Sequence, residues 1–190
     1  MIRDILLVGE DVIKSNTSLN DNLWGSYLLP SIQYAQENGL CSIIGECLFD
    51  KICELVSSNT IGSIENVAYK DLLDKYIQPY LINKTICELI PTINVKIANV
   101  GTVLTNDEHI SNISQKDMEL LRNSYSERSD FYAKRMQEFL KNNENVFPEL
   151  NCGCGNMKPN LESSVNSVGI YLGGFRGKKI SSNNCGCENK

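Results

Sequence analysis

A chain of 190 residues with 42% hydrophobic and 22% charged residues is long enough for one domain with a real core, in the range of soluble globular proteins. Its net charge of -5 and pI near 5.0 argue against a general nucleic-acid binder, which needs a basic face. No run approaches the roughly 18 consecutive apolar residues of a membrane span. The apolar stretch 5–8 meets Glu10 and Asp11 almost at once and is too short for a signal-peptide core. The expectation is a protein that acts in the cytoplasm where it is made, or in a particle assembled there.

Residues 1–20 read as an N-terminal arm. The stretch 5–8 suits an edge strand or an extended segment that docks on a neighbour, and the polar Asn16-Thr17-Ser18-Leu19-Asn20 follows. Asp21 is a suitable cap for a first helix, which Asn38-Gly39 should stop. Pro30 falls inside that span and either kinks the helix or marks its true first turn. A second helix is expected over 41–57, with Ile44, Leu48, Ile52, Leu55 and Val56 as its buried stripe. Gly45 weakens that helix by about 1 kcal/mol relative to alanine and suits close packing of the first helix.

After the polar break 57–63, a third helix is expected over 66–76. Gln78-Pro79 should interrupt it, and a fourth helix should run over 80–98, bent or divided by Pro91. The stretch 99–106 reads as a short strand or extended loop. Ser114-x-x-Asp117 forms a variant capping box that opens a long helix to about Lys141. Its seam is Met118, Leu121, Tyr125, Tyr132, Met136 and Phe139, and Asn142-Asn143 ends it. The fold class is therefore mainly α: a helical bundle over 21–150 with a short β or extended element, and a loop-rich C-terminal tail over 151–190. Glycine, asparagine and serine dominate that tail, which is too small to hold a packed core by itself.

The sharpest local chemistry lies in the tail. Cys152-Gly153-Cys154 and Cys185-Gly186-Cys187 supply four thiolates, enough to close a tetrahedral zinc site. One intervening glycine is tighter than the usual two-residue knuckle, and disulfides or an unliganded cysteine-bearing end are the alternatives. No cofactor is otherwise required. Cys41, Cys47 and Cys53 are spaced by six residues, which rotates about 240° around a helix, so they share no face; with Cys87 they read as buried structural thiols. His109 stands alone in a polar loop, and no Gly-x-Ser-x-Gly elbow is present, so the chain reads as non-enzymatic. Gly173-Gly174-Phe175-Arg176-Gly177-Lys178 fails as a phosphate loop, because Leu172 and Lys179 stand where glycine and Ser or Thr are needed. Arg176, Lys178 and Lys179 remain as a small basic patch. Glu119, Arg122, Glu127, Arg128, Lys134, Arg135 and Glu138 give the long helix a mixed-sign outer face, suited to solvent in a monomer or to a neighbouring subunit in a ring.

One pattern spans most of the chain. It opens with Pro30-x-Ile32-x-x-Ala35-Gln36 and Ile43-Ile44-Gly45-x-x-Leu48-Phe49. It continues through Tyr69-x-x-Leu72-Leu73, Tyr76-Ile77-Gln78-Pro79-Tyr80-Leu81 and Lys96-Ile97-Ala98-Asn99-Val100-Gly101. It closes with Tyr132-Ala133-x-Arg135-Met136-x-x-Phe139-Leu140 and Phe147-Pro148-Glu149-Leu150. In order and spacing this resembles the head–tail connector, or adaptor ring, proteins of tailed phages that infect Bacteroidetes, of the crAss-like type. The resemblance implies a structural virion protein at the neck of the particle. It would form a homo-oligomeric ring, usually a dodecamer, below the portal protein, and it would dock the next ring or tail protein. DNA would pass through its channel without sequence-specific binding, and no membrane is involved. The loop 99–114 and the tail beyond Leu150 are the candidate docking elements. The rival reading is a small helical regulator or nucleic-acid-binding protein with a zinc-stabilised tail, which predicts a basic surface and salt-sensitive DNA affinity.

Overall fold

The computed structural model describes residues 5–17, 19, 25–93, 114–151 and 157–161 in full, and residues 95–98 and 101–104 as backbone. The fold is mainly helical, with one short two-stranded sheet.

The N-terminal segment is part of the chain's own core rather than an arm reaching outward. Leu7 and Val8 are buried, and helix α1 (Glu10–Asn16) adds Ile13. Buried Gln36 holds this segment by its main chain. Its Oε1 accepts from the Leu7 N–H at 2.7 Å, and its Nε2 donates to the Ile5 carbonyl at 3.0 Å. One side chain thus does for two backbone groups what a neighbouring strand would do.

Helix α2 (Gly25–Tyr34) carries Pro30 in its interior and buries Leu28, Ser31 and Ile32. The chain does not stop at Asn38-Gly39. It passes through a π-helical stretch, Ala35–Leu40, in which the Cys41 N–H reaches back to the Gln36 carbonyl, and continues as α3 (Cys41–Ile44). Burial of Ala35, Gln36 and Leu40 overrides the local stop signal. The true stop is Gly45, with φ 82° and ψ 158°, a conformation close to glycine-only. Its N–H closes α3 on the Cys41 carbonyl at 2.9 Å, while its carbonyl accepts from Phe49 at 3.1 Å and opens α4 (Glu46–Ser57). The single helix expected over 41–57 is therefore two.

What occupies the corner is the segment 157–161, not the first helix. A Cβ on Gly45 would lie 2.8 Å from Pro159 Cδ and 2.9 Å from Pro159 N. The Glu46 N–H donates to the Met157 carbonyl, and the Asn160 N–H to the Ile43 carbonyl, both at 3.0 Å. Gln137 Nε2 holds the strap from the other side through the Asn160 carbonyl at 2.7 Å. The backbone groups freed by the helix break thus find partners in the strap. In α4, Leu48, Ile52 and Leu55 of the expected stripe are buried, as is Ile44 before the break, and Val56 packs at the margin.

The interruption expected at Gln78-Pro79 is also absent. Helix α5 (Val67–Leu72) runs through a second π-helical stretch, Leu73–Ile77, into α6 (Gln78–Ile93). Proline crowds the preceding turn of an α-helix; here the Gln78 N–H bonds to the Leu73 carbonyl, and that wider turn gives the ring room. Helix α6 ends soon after Pro91, not at 98. The β-branched Val95 and Ile97 belong instead to β1 (Val95–Ala98), paired antiparallel with β2 (Gly101–Leu104) in the register Val95 with Leu104 and Ala98 with Gly101.

Helix α7 (Gln115–Asn142) begins as expected: Ser114 Oγ accepts from the Asp117 N–H at 3.1 Å. It packs antiparallel along α6, with Tyr76 stacked on Phe139 at 4.5 Å and Asn83 sharing a groove with Tyr132. Met136 and Leu140 are fully buried, and Met118, Tyr125, Tyr132 and Phe139 pack against the core. Leu121, expected in the seam, is 45% exposed. At the other end Phe147 is buried between Tyr69 and Phe139, with ring centroids at 5.2 and 6.0 Å. The Tyr69 hydroxyl donates to the Glu149 carboxylate, with both oxygens at 3.0 Å. Burial, then this bond and the carboxylate charge, push that hydroxyl up to about 12.

Candidate interaction faces

The outer face of α7 offers the most surface for a partner. A helix of 28 residues spans about 42 Å, and only its C-terminal half is well covered. Glu119, Arg122, Glu127, Arg128, Lys134, Arg135 and Glu138 are all exposed, and none forms an ion pair with the described residues. Leu120 is 59% and Phe131 57% exposed, so apolar surface is interleaved with the charges. Two of the arginines are held against rings. Arg128 lies 5.1 Å from the Tyr125 centroid, and Arg135 lies 5.6 Å from Tyr76 and 5.7 Å from Phe131. Such stacking fixes a guanidinium in place while leaving its donors outward. An open groove of about 510 Å³ runs beside this face, between α7 residues Ser124, Arg128 and Phe131 and the amides of Asn16 and Asn83.

The thiols read as structural in the sequence are in the core: Cys41, Cys53 and Cys87 are buried, and Cys47 is half-buried. The expectation that Cys41 and Cys53 lie apart assumed one continuous helix. The break at Gly45 brings them close enough that Cys41 adds to the push on Cys53, whose thiol rises to about 12 through burial first, Asp50 second and Cys41 third. A thiol held there is protonated and unreactive at neutral pH.

The candidate zinc ligands Cys152, Cys154, Cys185 and Cys187 lie outside the described residues, as do His109, the basic patch Arg176, Lys178 and Lys179, and the part of the loop at 105–113. Among the described residues no group of three or more His, Cys, Asp or Glu could hold a metal ion. No helix among them is long and apolar enough to cross a membrane. Of the two candidate docking elements, the described parts are the β-hairpin, which follows the α6 terminus, and the strap 157–161, which lies on the Gly45 corner. Sequence reasoning missed the Gln36 clamp, the strap and both π-helical stretches. Only Pro79, a proline set inside an otherwise helical pattern, offered a signal for one of them.

The chain belongs to a family of unknown function, DUF6712, whose pattern matches residues 40–160. That span starts just before the Gly45 corner and ends in the strap that fills it. No curated protein and no solved structure matches the chain.

Proposed function

We propose that this protein is a structural, non-catalytic head–tail connector of a tailed phage. It would form a ring, twelve-fold in keeping with the connectors it resembles, between the portal and the next ring or tail protein. It would lengthen the DNA channel and convert the portal surface into one that a tail can dock on. The observation that carries this reading is the outer face of α7: exposed charges of both signs without ion pairs among the described residues, interleaved with exposed Leu120 and Phe131. A cyclic ring needs head-to-tail contacts between unlike surfaces, and a long, rigid, mixed-sign helix supplies one such surface. The net charge of -5 suits a channel that DNA slides past without sticking.

In the same reading, Cys152, Cys154, Cys185 and Cys187 hold a structural zinc that organises the tail as a docking element. Thiolates favour zinc, and metal-binding free energies of roughly 10–16 kcal/mol are enough to order a segment without a core of its own. The test of the ring is reconstitution. Purified portal protein mixed with this chain should give portal particles with an added ring of density in electron micrographs. Charge reversal of Arg122 and Arg128 to Glu should abolish the ring and leave the monomer folded. Unchanged portal particles with the unaltered chain would contradict the proposal.

A further inference from the structure

The turn between α4 and α5 presents apolar side chains outward. Ile64 is 92% exposed and Val67, three residues on, is 52% exposed, so the two stand together on one side of the turn. The turn is laced rather than loose. The Ser63 N–H donates to the Thr60 carbonyl and the Asn66 N–H to the Ser63 carbonyl, both at 3.0 Å. Asn66 Nδ2 closes it again on the Thr60 carbonyl and on Ser63 Oγ, also at 3.0 Å. The pair is therefore a knob held in shape before anything binds it, and docking it costs little ordering entropy. Glu65 and Lys70 flank it with one charge of each sign, both exposed and neither in an ion pair with the described residues.

The groove beside α7 is its counterpart. It is open, it carries exposed Phe131 next to half-buried Tyr132, and Glu127 and Arg128 line it with one charge of each sign. An apolar knob between an acid and a base thus matches an apolar patch beside a base and an acid, Glu65 toward Arg128 and Lys70 toward Glu127. The two surfaces cannot meet within one molecule. Val67 of the knob and Asn83 of the groove lie on the same unbroken helix, α5 through α6, roughly 20–24 Å apart along its axis. A contact between unlike surfaces of two copies is head-to-tail, the kind that propagates into a ring.

We propose that the Ile64–Val67 knob of one copy seats in the α7 groove of a second copy. This rests on the reading of the α7 outer face as a subunit contact, and it names the surface which that face meets. The test is sedimentation velocity on two variants of the full chain, Ile64→Asp without a knob and Phe131→Asp without a groove. Both residues are exposed, so each variant should melt with the parent. The unaltered chain should associate as its concentration rises, and each variant alone should associate at least about tenfold more weakly. An equal mixture of the two should form dimers and nothing larger, because each pair keeps one intact knob and one intact groove. A parent that does not associate, variants that associate as it does, or a mixture no larger than its components would overturn the proposal. Reconstitution on portal particles separates this contact from the connector reading. A ring of density formed equally by the unaltered chain and by Ile64→Asp would keep that reading and remove this contact. No ring with the unaltered chain, alongside dimers in the mixture, would remove that reading and keep this contact.

Discussion

Replacing Gly45 with alanine tests the account of the helix corner. The backbone at φ 82° and ψ 158° lies where residues with a Cβ are strained, at a cost of about 1–3 kcal/mol. The new methyl would also meet Pro159 Cδ at 2.8 Å and Pro159 N at 2.9 Å, and one of these is backbone, which cannot swing aside. Overpacking of that kind adds about 1–3 kcal/mol, so the whole effect is about 2–6 kcal/mol. For a chain of this size, roughly 2–4 °C per kcal/mol gives a fall in Tm of about 4–24 °C. Thermal melts followed by circular dichroism measure it. Gly62→Ala is the control, because nothing lies within 4 Å of a Cβ at Gly62, and it should stay within about 0.5 kcal/mol of the parent. Hydrogen exchange adds a local readout: the Glu46 and Asn160 amides, which bond across the corner, should lose protection in Gly45→Ala. A Tm within about 2 °C of the parent, with both amides still protected, would show that the corner does not depend on glycine and that the reasoning is wrong.

Gln36→Ala should cost about 2–4 kcal/mol, because it leaves the Leu7 N–H and the Ile5 carbonyl without their partner; denaturant unfolding measures the loss, and exchange of the Leu7 amide should rise. Thr85→Val should stabilise by about 1 kcal/mol, since the Thr85 hydroxyl is buried without a hydrogen-bond partner; a lower urea midpoint would contradict this. Alkaline stability should fall in a defined window. The neutral forms of Tyr69 and Cys53 are favoured in the folded state, so their contribution is complete below the ordinary values of 10 and 9 and is lost as pH rises toward about 12. Tm measured from pH 9 to 12 should drop, and Tyr69→Phe should flatten the part above pH 10. Protein purified under reducing conditions should carry stoichiometric zinc by elemental analysis, and Cys185→Ser with Cys187→Ser should lose it.

What the sequence made legible were features whose cause is local. The capping box at Ser114, the buried Leu48, Ile52 and Leu55 of α4, and most of the α7 seam need only short-range pattern, and they stand in the structure. The misread features share a different cause. Asn38-Gly39 looks like a stop and Gly45 like a tolerated interior glycine, but their roles are exchanged, because burial of Leu40 and the seat for Pro159 are set by contacts distant in the chain. The residues 5–8 read as an edge strand or an arm that docks on a neighbour, because Gln36, which holds their backbone, is far along the sequence. Leu121 fits the α7 period but stands 45% exposed. The tail cysteines are legible as a motif, and they lie outside the described residues.

The most direct measurement of the connector reading is quantitative peptide mass spectrometry on purified virions of the phage that encodes this chain, comparing its copies with those of the portal protein. The account predicts about one copy of this chain per copy of portal. Absence of the chain from the particle would contradict it.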